Sequence, residues 1–568
     1  MHSTSTTHNA EAVQSGEAIR RHPLFRRFLL VYLLLLVLLL LALLPPLINV
    51  NRFKHRIVTS ISTTLGRPVH LDSVSLNLLP LPGFTLENFV VEEDPHFGAE
   101  PIIRANSVRA TLRVSSLWRR KVEFSRIALD EPSLNLVHDP DGHWNVEGIL
   151  LQASQITAAP TVQAKAGRDP RFPYIEATGA RINLKSGASG QEKLPFALTE
   201  ADLALWLPTP NQWHLRLEGH PARTDTGASD TGTIEVEGTF GRAKAFDQIP
   251  LDLTGFWKNS PLGEASLVLL GRDANLRGDL TVSAEMHGTL AVSAVKARAR
   301  VTGLRRADFV PQRPIDIDAE CVASATDTLH AFHQVRCSWP PPSVAGEKLV
   351  ALTGDLPDIH DLSTAGFEIG TPGLPANTLL SWLHVASARF PADETASGVL
   401  TAKFSRDPLA ASGSGPTQAA WAGDLLLHKG TLSASVAGEK APASFVLGDL
   451  AIASGVAAPN QSFVLSPTAL NLGGKEPAAL EGRFDAAGYT LHLTGMATPA
   501  RLLALGAALP QFGDGFAELF PSASTIPVRI DLTRNRSWAS GGVRQPWTRT
   551  IPTAPAVSAR HRRSHTSR

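Results

Sequence analysis

The chain has 568 residues and a formal net charge of +1, from 53 Lys and Arg against 52 Asp and Glu. Its hydrophobic fraction of 43% excludes a disordered polyampholyte, and its single long apolar run excludes a multi-span transporter. A charge this close to neutral gives no reason to expect a nucleic-acid partner, and the length predicts several domains or one extended array.

An uncharged apolar segment at residues 28–48 predicts one transmembrane helix. Its core from Phe28 to Leu44 would span about 25 Å at ~1.5 Å per residue, which is long enough to cross a bilayer core. Arginines precede the segment, so a cleaved signal peptide is the competing interpretation, but no small-residue cleavage site follows Ala42. Residues 1–27 are predicted to be a disordered tail, because they are rich in Ser, Thr, His and Ala without a hydrophobic period. The same arginines predict that this tail is cytoplasmic and that most of the chain lies outside the inner membrane.

The segment after the anchor predicts a short amphipathic helix within residues 49–66. Phe53, Ile57, Ile61 and Leu65 recur every four residues, which places them on one helix face. We expect Gly66 to end this helix, because glycine favours the position after a helix C-terminus.

From residue 67 onward, apolar and polar residues alternate, which is typical of half-buried antiparallel strands. The pattern predicts an N-terminal β region at 67–150, a loop at 151–173, a second β region at 174–404, a linker at 405–420 and a C-terminal β region at 421–533. The apolar run from Leu267 to Leu270 is interpreted as one of the strands. No fixed repeat length is evident.

The last part of the chain is basic. Beyond Asp531 no acidic residue remains while arginines accumulate, so residues 534–568 are predicted to form a disordered tail. Binding to anionic headgroups or nucleic acid, and an abnormal C-terminus from a reading-frame change, stay open as explanations of its composition.

Only two cysteines are present, Cys321 and Cys337, so the chain is not a disulfide scaffold. Strand parity predicts that both face the same side of neighbouring strands. A tight turn at Ala325 to Thr328 would, however, set Cys321 near Ala331 and leave Cys337 several residues along. Whether the two cysteines form a disulfide therefore stays open.

Two motifs resemble catalytic or metal sites. Asp225-Thr226-Gly227 and a second Asp-Thr-Gly at Asp230 have the form of an aspartic protease loop, but the residues in front are not an apolar strand. His138, Asp139, Asp141 and His143 have the composition of a metal cluster, although the Asp residues also suit a hairpin turn. We interpret both as polar turns.

Other short patterns carry no chemistry. His330 and His333 flank an apolar strand and are interpreted as surface or hydrogen-bonded histidines, and Arg277-Gly278-Asp279 lies within strand alternation. The sequence contains no phosphate-binding loop, nucleophile elbow, paired-cysteine motif or dinucleotide glycine motif. We therefore predict no enzyme activity, no cofactor and no metal.

The residues after the anchor resemble the opening of the AsmA family of membrane-anchored envelope proteins. The resemblance covers residues 49–150 and is carried by an ordered series of segments: Leu65 to Val69, Phe84 to Phe89, Ser115 to Trp118, Ile127 to Leu136 and Asp141 to Asn145. The family implies an inner-membrane helix followed by a long β-sheet bent into a groove across the periplasm. Members are associated with moving phospholipid toward the outer membrane, and the founding member with outer-membrane protein assembly.

The resemblance leads to a mainly β prediction: one N-terminal transmembrane helix, then a long antiparallel β-sheet array forming an elongated apolar groove, with a few short helices. Such a groove needs no catalytic residues, because acyl chains gain about 0.8 kcal/mol per methylene on leaving water. The candidate groove lining is Val74, Leu76, Val108, Ala110, Leu112, Ile234, Val236, Leu267 and Leu269.

Two functions stay open. The first is a phospholipid carrier of outer-membrane biogenesis, anchored in the inner membrane by residues 28–48. The second is a scaffold that binds outer-membrane or assembly proteins by strand addition without carrying lipid. The sequence cannot separate them, because closed β-sandwiches would produce the same alternation as an open apolar face.

Overall fold

The structure is a computed structural model, and it confirms a mainly β fold with few helices. The described residues are 28–37, 39, 51, 54–139, 141–163, 169–186, 196–311, 314–344, 349–359, 361–388, 390, 393–408, 420–435, 442–454, 462–485, 487–540 and 543–550. All 25 strands in these ranges belong to one sheet.

The predicted anchor is described only in part. Residues 28–37 and 39 are helical and their side chains are exposed, while residue 38 and residues 40–48 lie outside the described residues, as do residues 1–27. Among the residues that are described, no helix has both the length and the hydropathy to cross a membrane. The transmembrane helix and the cytoplasmic tail therefore stay predictions.

The N-terminal region begins with helix α1 (Lys54–Leu65), which ends before Gly66, a residue with a φ of 67°. Its other helices are α2 (Val114–Leu117) and α3 (Glu147–Gln155), the second of which overlaps the predicted loop. Its strands are β1 (Val69–His70), β2 (Ser73–Asn77), β3 (Gly83–Val91), β4 (Ile103–Leu112), β5 (Phe124–Asp130) and β6 (Ser133–His138). Strand β3 pairs with β1, β2 and β4, and β4 pairs with β5 and β6.

A long meander follows. Strand β7 (Tyr174–Ser186) joins it to the N-terminal region by pairing in parallel with β5 and β6. From β7 each strand pairs antiparallel with the next along the chain. The next strands are β8 (Phe196–Thr209), β9 (Gln212–Arg223), β10 (Thr233–Gly241), β11 (Pro250–Pro261), β12 (Leu276–Thr289), β13 (Val292–Arg306), β14 (Ile315–Thr326), β15 (Ala331–Trp339) and β16 (Val350–Leu356).

The meander continues to residue 549. Its remaining strands are β17 (Gly366–Pro375), β18 (Thr395–Asp407), β19 (Ala420–Ala434), β20 (Ala443–Ser454), β21 (Ser462–Leu470), β22 (Ala478–Asp485), β23 (Gly488–Ala497), β24 (Val528–Ser537) and β25 (Thr548–Arg549). Of the predicted linker at 405–420, residues 405–407 extend β18, residue 420 begins β19, and 409–419 lie outside the described residues.

Helices interrupt the meander at a regular interval. Helix α4 (Leu262–Leu270) lies between β11 and β12, α5 (Ala376–Ala386) between β17 and β18, and α6 (Pro499–Ala508), with α7 (Phe516–Leu519), between β23 and β24. Six strands separate successive insertions. Because antiparallel strands alternate in direction, all three insertions lie on the side of the sheet where the odd-numbered strands of the meander end. We call this side, formed by strand ends, the helix edge. The side where the even-numbered strands end is called the turn edge.

The strand predicted at Leu267 to Leu270 is wrong, because these residues belong to α4. A short apolar run fits a buried helix as well as a strand. Here Ala265 and Val268, three residues apart, are buried on one helix face, while Leu269 is 56% exposed. The helix ends at Gly271, which takes the left-handed conformation with a φ of 70°.

The sheet does not lie flat. The rings of His138, at the end of β6, and His330, in the turn between β14 and β15, have centroids 5.8 Å apart. Eight strand-to-strand steps separate β6 from β14, which at ~4.8 Å per step would be about 38 Å in a flat sheet. The sheet therefore coils strongly over these strands.

The predicted disordered tail is wrong for residues 534–540 and 543–550, and residues 551–568 lie outside the described residues. Strand β24 runs to Ser537, with Ile530, Leu532 and Arg534 buried on one face. Arg534 donates hydrogen bonds to the carbonyl oxygens of Gln511, Phe512 (2.9 Å) and Gln545 (3.0 Å). The composition of this segment suggested a solvated tail. Arg534 is instead buried, and its N–H groups donate to backbone carbonyl oxygens, so the segment is part of the folded structure.

We predict that Arg534→Met will loosen the C-terminal end of the sheet, because it leaves buried carbonyls without donors at about 1–3 kcal/mol each. Amide hydrogen exchange should become faster in β24 and at residues 511–516 and stay unchanged in β7–β10. The matched control is Arg529→Met on the exposed side of β24. Equal protection in both variants would contradict the structural role of Arg534.

A residue of helix α5, His384, forms a buried ionisable pair with Glu394, which immediately precedes β18. His384 and Glu394 are each 5% exposed, and His384 Nε2 lies 3.8 Å from Glu394 Oε2. Burial, followed by the negative charge of Asp393, raises the pKa of Glu394 to about 7. Glu394 thus binds a proton more tightly in the folded than in the unfolded protein.

This raised pKa predicts that the stability of α5 falls as the pH rises from 5 to 8. The contribution of protonated Glu394 is complete below its unfolded pKa of 4.5 and is lost as the pH passes 7. Glu394→Gln, which stays neutral, should flatten the pH dependence of hydrogen exchange in α5 and β18. Glu368→Gln on β17 is the control and should keep the wild-type pH dependence; a pH-independent wild type would refute the idea.

Candidate functional site

One row of apolar residues crosses most of the sheet, and we call it the central row. Its members are direct cross-strand partners, so they share one face of the sheet. From β2 to β19, with β6 left aside, they are Val74, Leu86, Val108, Leu129, Ala177, Leu203, Leu217, Val236, Gly255, Ala284, Ala297, Cys321, Cys337, Leu352, Ile369, Phe404 and Gly423. No polar residue interrupts the central row.

Rows on either side of the central row are also apolar, and together they form what we call the apolar face. The row toward the turn edge consists of Leu76, Phe84, Ala110, Ile127, Ile175, Leu205, Leu215, Gly238, Leu253, Met286, Val295 and Ala323. The row toward the helix edge contains Gly219, Ile234, Trp257, Val282, Ala299 and Ala319.

The structure brings together seven of the nine predicted lining residues. Val74, Val108 and Val236 lie in the central row, Leu76 and Ala110 in the row toward the turn edge, Ile234 in the row toward the helix edge, and Leu112 next to Ala110 on the same face of β4. Leu267 and Leu269 lie in α4 and are not part of the sheet.

The opposite face is polar and its charges are paired across strands. On β13 and β14, Arg298 and Arg300 both contact Asp318, with nitrogen to oxygen distances of 2.7 and 2.9 Å. Hydrogen bonds from Arg298 lower the pKa of Asp318 to about 2. Lys258 and Glu235 form a similar pair at 2.6 Å between β11 and β10. The sheet is thus amphipathic, with one face suited to water.

The apolar face is covered at both ends of the sheet. At the N-terminal end, Val74 and Val108 are each 5% exposed, in a cluster that includes Ile57 and Ile61 of α1 and Ile149 of α3. At the C-terminal end, the cluster around Leu465, Leu480 and Leu493 includes Leu502 and Leu505 of α6. Helices therefore close the apolar face where the sheet begins and where it ends.

On strands β12, β13 and β17 residues of the apolar face are accessible. Ala284 and Ala299 are exposed, Ala297 is half-buried, and Ile369 is 36% exposed. Because all strands belong to one sheet, no second sheet closes this face in the described part of the chain. The structure thus favours an open apolar face over closed sandwiches.

Aromatic rings add apolar surface toward the C-terminal part of this face. Phe367 and Trp421 meet edge to face with ring centroids 5.6 Å apart, as do Phe404 and Phe463. At the helix edge, Trp382 of α5 packs on Trp339 of β15 at 4.6 Å. The sequence reasoning missed these residues, because the pairings depend on register between distant parts of the chain.

Two members of the central row form a disulfide. Cys321 and Cys337 are bonded, and their Cα atoms are 4.0 Å apart. The turn predicted at 325–328 is wrong: Thr326 pairs with Ala331, and a bulge beyond Val322 shifts the register so that Cys321 faces Cys337. The bond joins adjacent strands at the accessible part of the apolar face.

The protease-like loop holds an ion pair. Arg223 donates hydrogen bonds to the Asp225 carboxylate from Nε (2.6 Å) and Nη2 (3.1 Å), and these lower the Asp225 pKa. An aspartate fixed in this way is a poor candidate for the shared-proton pair that an aspartic protease needs.

The histidine and aspartate cluster has a structural use. His96, Asp139 and Asp141 bring ligand atoms within 4.8 Å of one another, and they are the residues that could hold a metal ion in the described part of the chain. Asp139 is already engaged, because one oxygen accepts from the His143 backbone N–H at 2.8 Å and the other lies 3.2 Å from His96 Nε2. His143 pairs instead with Glu147 at 3.3 Å.

The arrangement can hold apolar chains without chemistry. The apolar face offers continuous contact to hydrocarbon, and the opposite, polar face suits contact with water.

One of three comparisons with known proteins finds a match. A family model, that of the AsmA family, matches residues 22–187. Neither the curated proteins nor the solved structures yielded a match. The predicted family is therefore confirmed for residues 22–187, which match the model of the AsmA family.

Proposed function

We propose that this protein is a non-enzymatic carrier of phospholipid in outer-membrane biogenesis, anchored in the inner membrane and extending into the periplasm. The observation that carries the proposal is the central row, which stays apolar from β2 to β19 and is accessible at Ala284 of β12 and Ile369 of β17. Acyl chains lie along this face, and the headgroups stay in water.

The energetics suit movement along the face. An acyl chain of about 15 methylenes gains on the order of 10 kcal/mol when it leaves water completely. Adjacent strands present the same kind of surface every ~4.8 Å. A chain that moves by one strand exchanges one apolar contact for another, so no single site holds it strongly.

The disulfide supports a periplasmic location. Disulfides persist in oxidising compartments and are rare where thiols are kept reduced, and Cys321 and Cys337 are bonded here. The family match supports an envelope protein. Attachment to the inner membrane by residues 28–48 rests on their length and hydropathy.

We predict that Ala284→Glu with Ala297→Lys will abolish lipid capture without unfolding the sheet. The two positions are cross-strand partners on the accessible part of the apolar face, so the new charges can pair with each other. Burying them under an acyl chain would cost several kcal/mol. Phospholipid that co-purifies with the full chain, measured by mass spectrometry, should fall by at least about fivefold.

The matched control places the same two charges on the polar face of the same strands. Ser283→Glu faces Arg298 and Thr302→Lys faces Asp279, so this variant should retain wild-type lipid. Circular dichroism checks that both variants keep their β structure. If the folded Ala284/Ala297 variant kept its lipid and crosslinked to outer-membrane precursors, the carrier function would be rejected in favour of the scaffold function.

A further inference from the structure

Two neighbouring connections form an exposed tip at the turn edge of the first strands. The β2–β3 turn spans residues 78–82, and the connection from β4 to β5 spans residues 113–123. The two connections are adjacent, because the Leu112 N–H donates to the Pro82 carbonyl oxygen at 2.8 Å, next to the pairing of β3 with β4. We call residues 78–82 and 113–123 together the tip.

The tip exposes apolar side chains. Trp118, which directly follows helix α2, is 88% exposed, more than any other tryptophan in the described part of the chain. Four more large apolar side chains of the tip are exposed: Leu79, Leu81, Val114 and Val122. Single exposed apolar residues are common on protein surfaces, but a group of them on two adjacent connections indicates an interaction surface.

The tip is also basic. Its sequence contains one acidic residue, Glu123, and four basic ones: Arg113, Arg119, Arg120 and Lys121. The Glu123 carboxylate is buried, and its oxygens lie 3.6 Å from Arg119 Nη2 and 4.0 Å from Arg113 Nε. Arg120 and Lys121 are exposed and follow Trp118 closely in the sequence. This combination fits an anionic lipid surface, because lipid phosphates attract Lys and Arg while tryptophan favours the level of the headgroups.

Helix α1 begins on the side of the sheet where the tip lies. Lys54, its first residue, donates from Nζ to the Asp72 carbonyl oxygen at 2.9 Å. Ser62, near its end, accepts from the Val69 N–H at 3.0 Å. The chain runs toward the turn edge from Val69 to Asp72, since Val69 pairs with the end of β3 and the residues after Asp72 pair with earlier parts of that strand. The N-terminus of α1 therefore points toward the turn edge.

The short distance along the chain between the predicted anchor and α1 brings the tip near the membrane. In the sequence, residues 49–53 separate the two, and a fully extended segment of this length reaches at most about 18 Å. On β3, the distance from Glu87, whose carbonyl oxygen accepts from the Asp72 N–H, to Gly83 at the tip is about 13 Å. An anchor in the bilayer would therefore keep the tip close to the surface of the same membrane.

We propose that the tip docks onto the membrane that holds the anchor, with the anionic phospholipid surface as its partner. Trp118 and the neighbouring apolar side chains insert at the depth of the headgroups, and the basic side chains contact lipid phosphates. This inference rests on the proposed function, from which it takes the anchor, and it adds a second membrane contact. A single anchor does not fix the orientation of the sheet, whereas two contacts hold the turn edge of the first strands on the bilayer.

The test labels the full chain at one introduced thiol. Cys321 and Cys337 are bonded to each other, so Val122→Cys supplies the thiol that reacts with a nitrobenzoxadiazole dye. The labelled protein is reconstituted into vesicles of phosphatidylcholine and phosphatidylglycerol, and quenching of the dye by nitroxide-labelled lipid is measured. Quenching at position 122 should exceed that in Ile526→Cys, an exposed site before β24, by at least about threefold. It should be weaker in vesicles of phosphatidylcholine alone.

A second pair of variants tests the residues of the tip. Trp118→Ser with Arg120→Gln, made in the Val122→Cys chain, should reduce the quenching at position 122 to the level at position 526. The matched control is Trp538→Ser with Arg536→Gln, which changes an exposed tryptophan and a nearby arginine at the end of β24 and should keep the quenching. Circular dichroism checks that every variant is folded.

Equal quenching at positions 122 and 526 would overturn the docking of the tip and leave the carrier function standing. Quenching that persists in Trp118→Ser with Arg120→Gln would be explained by closeness to the anchor alone, which also overturns the proposal. A dye whose emission is shifted to the blue without quenching would show that protein, such as a second copy of this chain, covers the tip instead. If the wild-type chain did not float with the vesicles on a density gradient, both the docking and the anchor of the proposed function would be contradicted.

Discussion

The apolar face depends on strand register. Because side chains alternate between the two faces of a strand, a slip of one residue in any pairing would bring charged residues such as Arg298 or Asp318 to the apolar side. The bulges of the central strands lie toward the strand ends, as between Trp257 and Ser260 or between Val301 and Leu304, so the central row stays in phase. Ion pairs on the polar face join the same strands and disfavour a slipped register.

An amphipathic sheet ordinarily buries its apolar side on a helix layer or a second sheet. Here helices do so at the two ends, where α1 and α3 cover the first strands and α6 covers the last ones, and Ala158 and Phe172 pack on Trp213 and Phe240 of β9 and β10. In the middle, helices α4 and α5 lie at one edge, so the apolar face between them stays accessible. The helices recur at an interval of six strands. Each strand pairs with its neighbours along the chain, so the stability of each strand depends mainly on those neighbours.

The sequence predicted the class of fold and most of the candidate lining, because strand alternation is a local signal. Val74, Val108 and Val236 could be assigned to one face from their own strands. Leu267 and Leu269 could not, since a short apolar run is compatible with a helix, and the proline before α4 was the signal that was missed. Arg534 was misjudged for a related reason: composition describes a solvated tail, whereas burial depends on carbonyls at Gln511, Phe512 and Gln545.

The sequence by itself determined the family resemblance of the N-terminal part, the two-residue period and the apolar composition of one face, all of which are properties of neighbouring residues. Only the tertiary structure decided which parts of that face are covered or accessible, that Cys321 lies opposite Cys337, and that Arg534 is buried among carbonyl oxygens. Each of these depends on which strands meet and on what covers them. Pairing register and burial arise from contacts between residues far apart in the chain, and no local pattern encodes them.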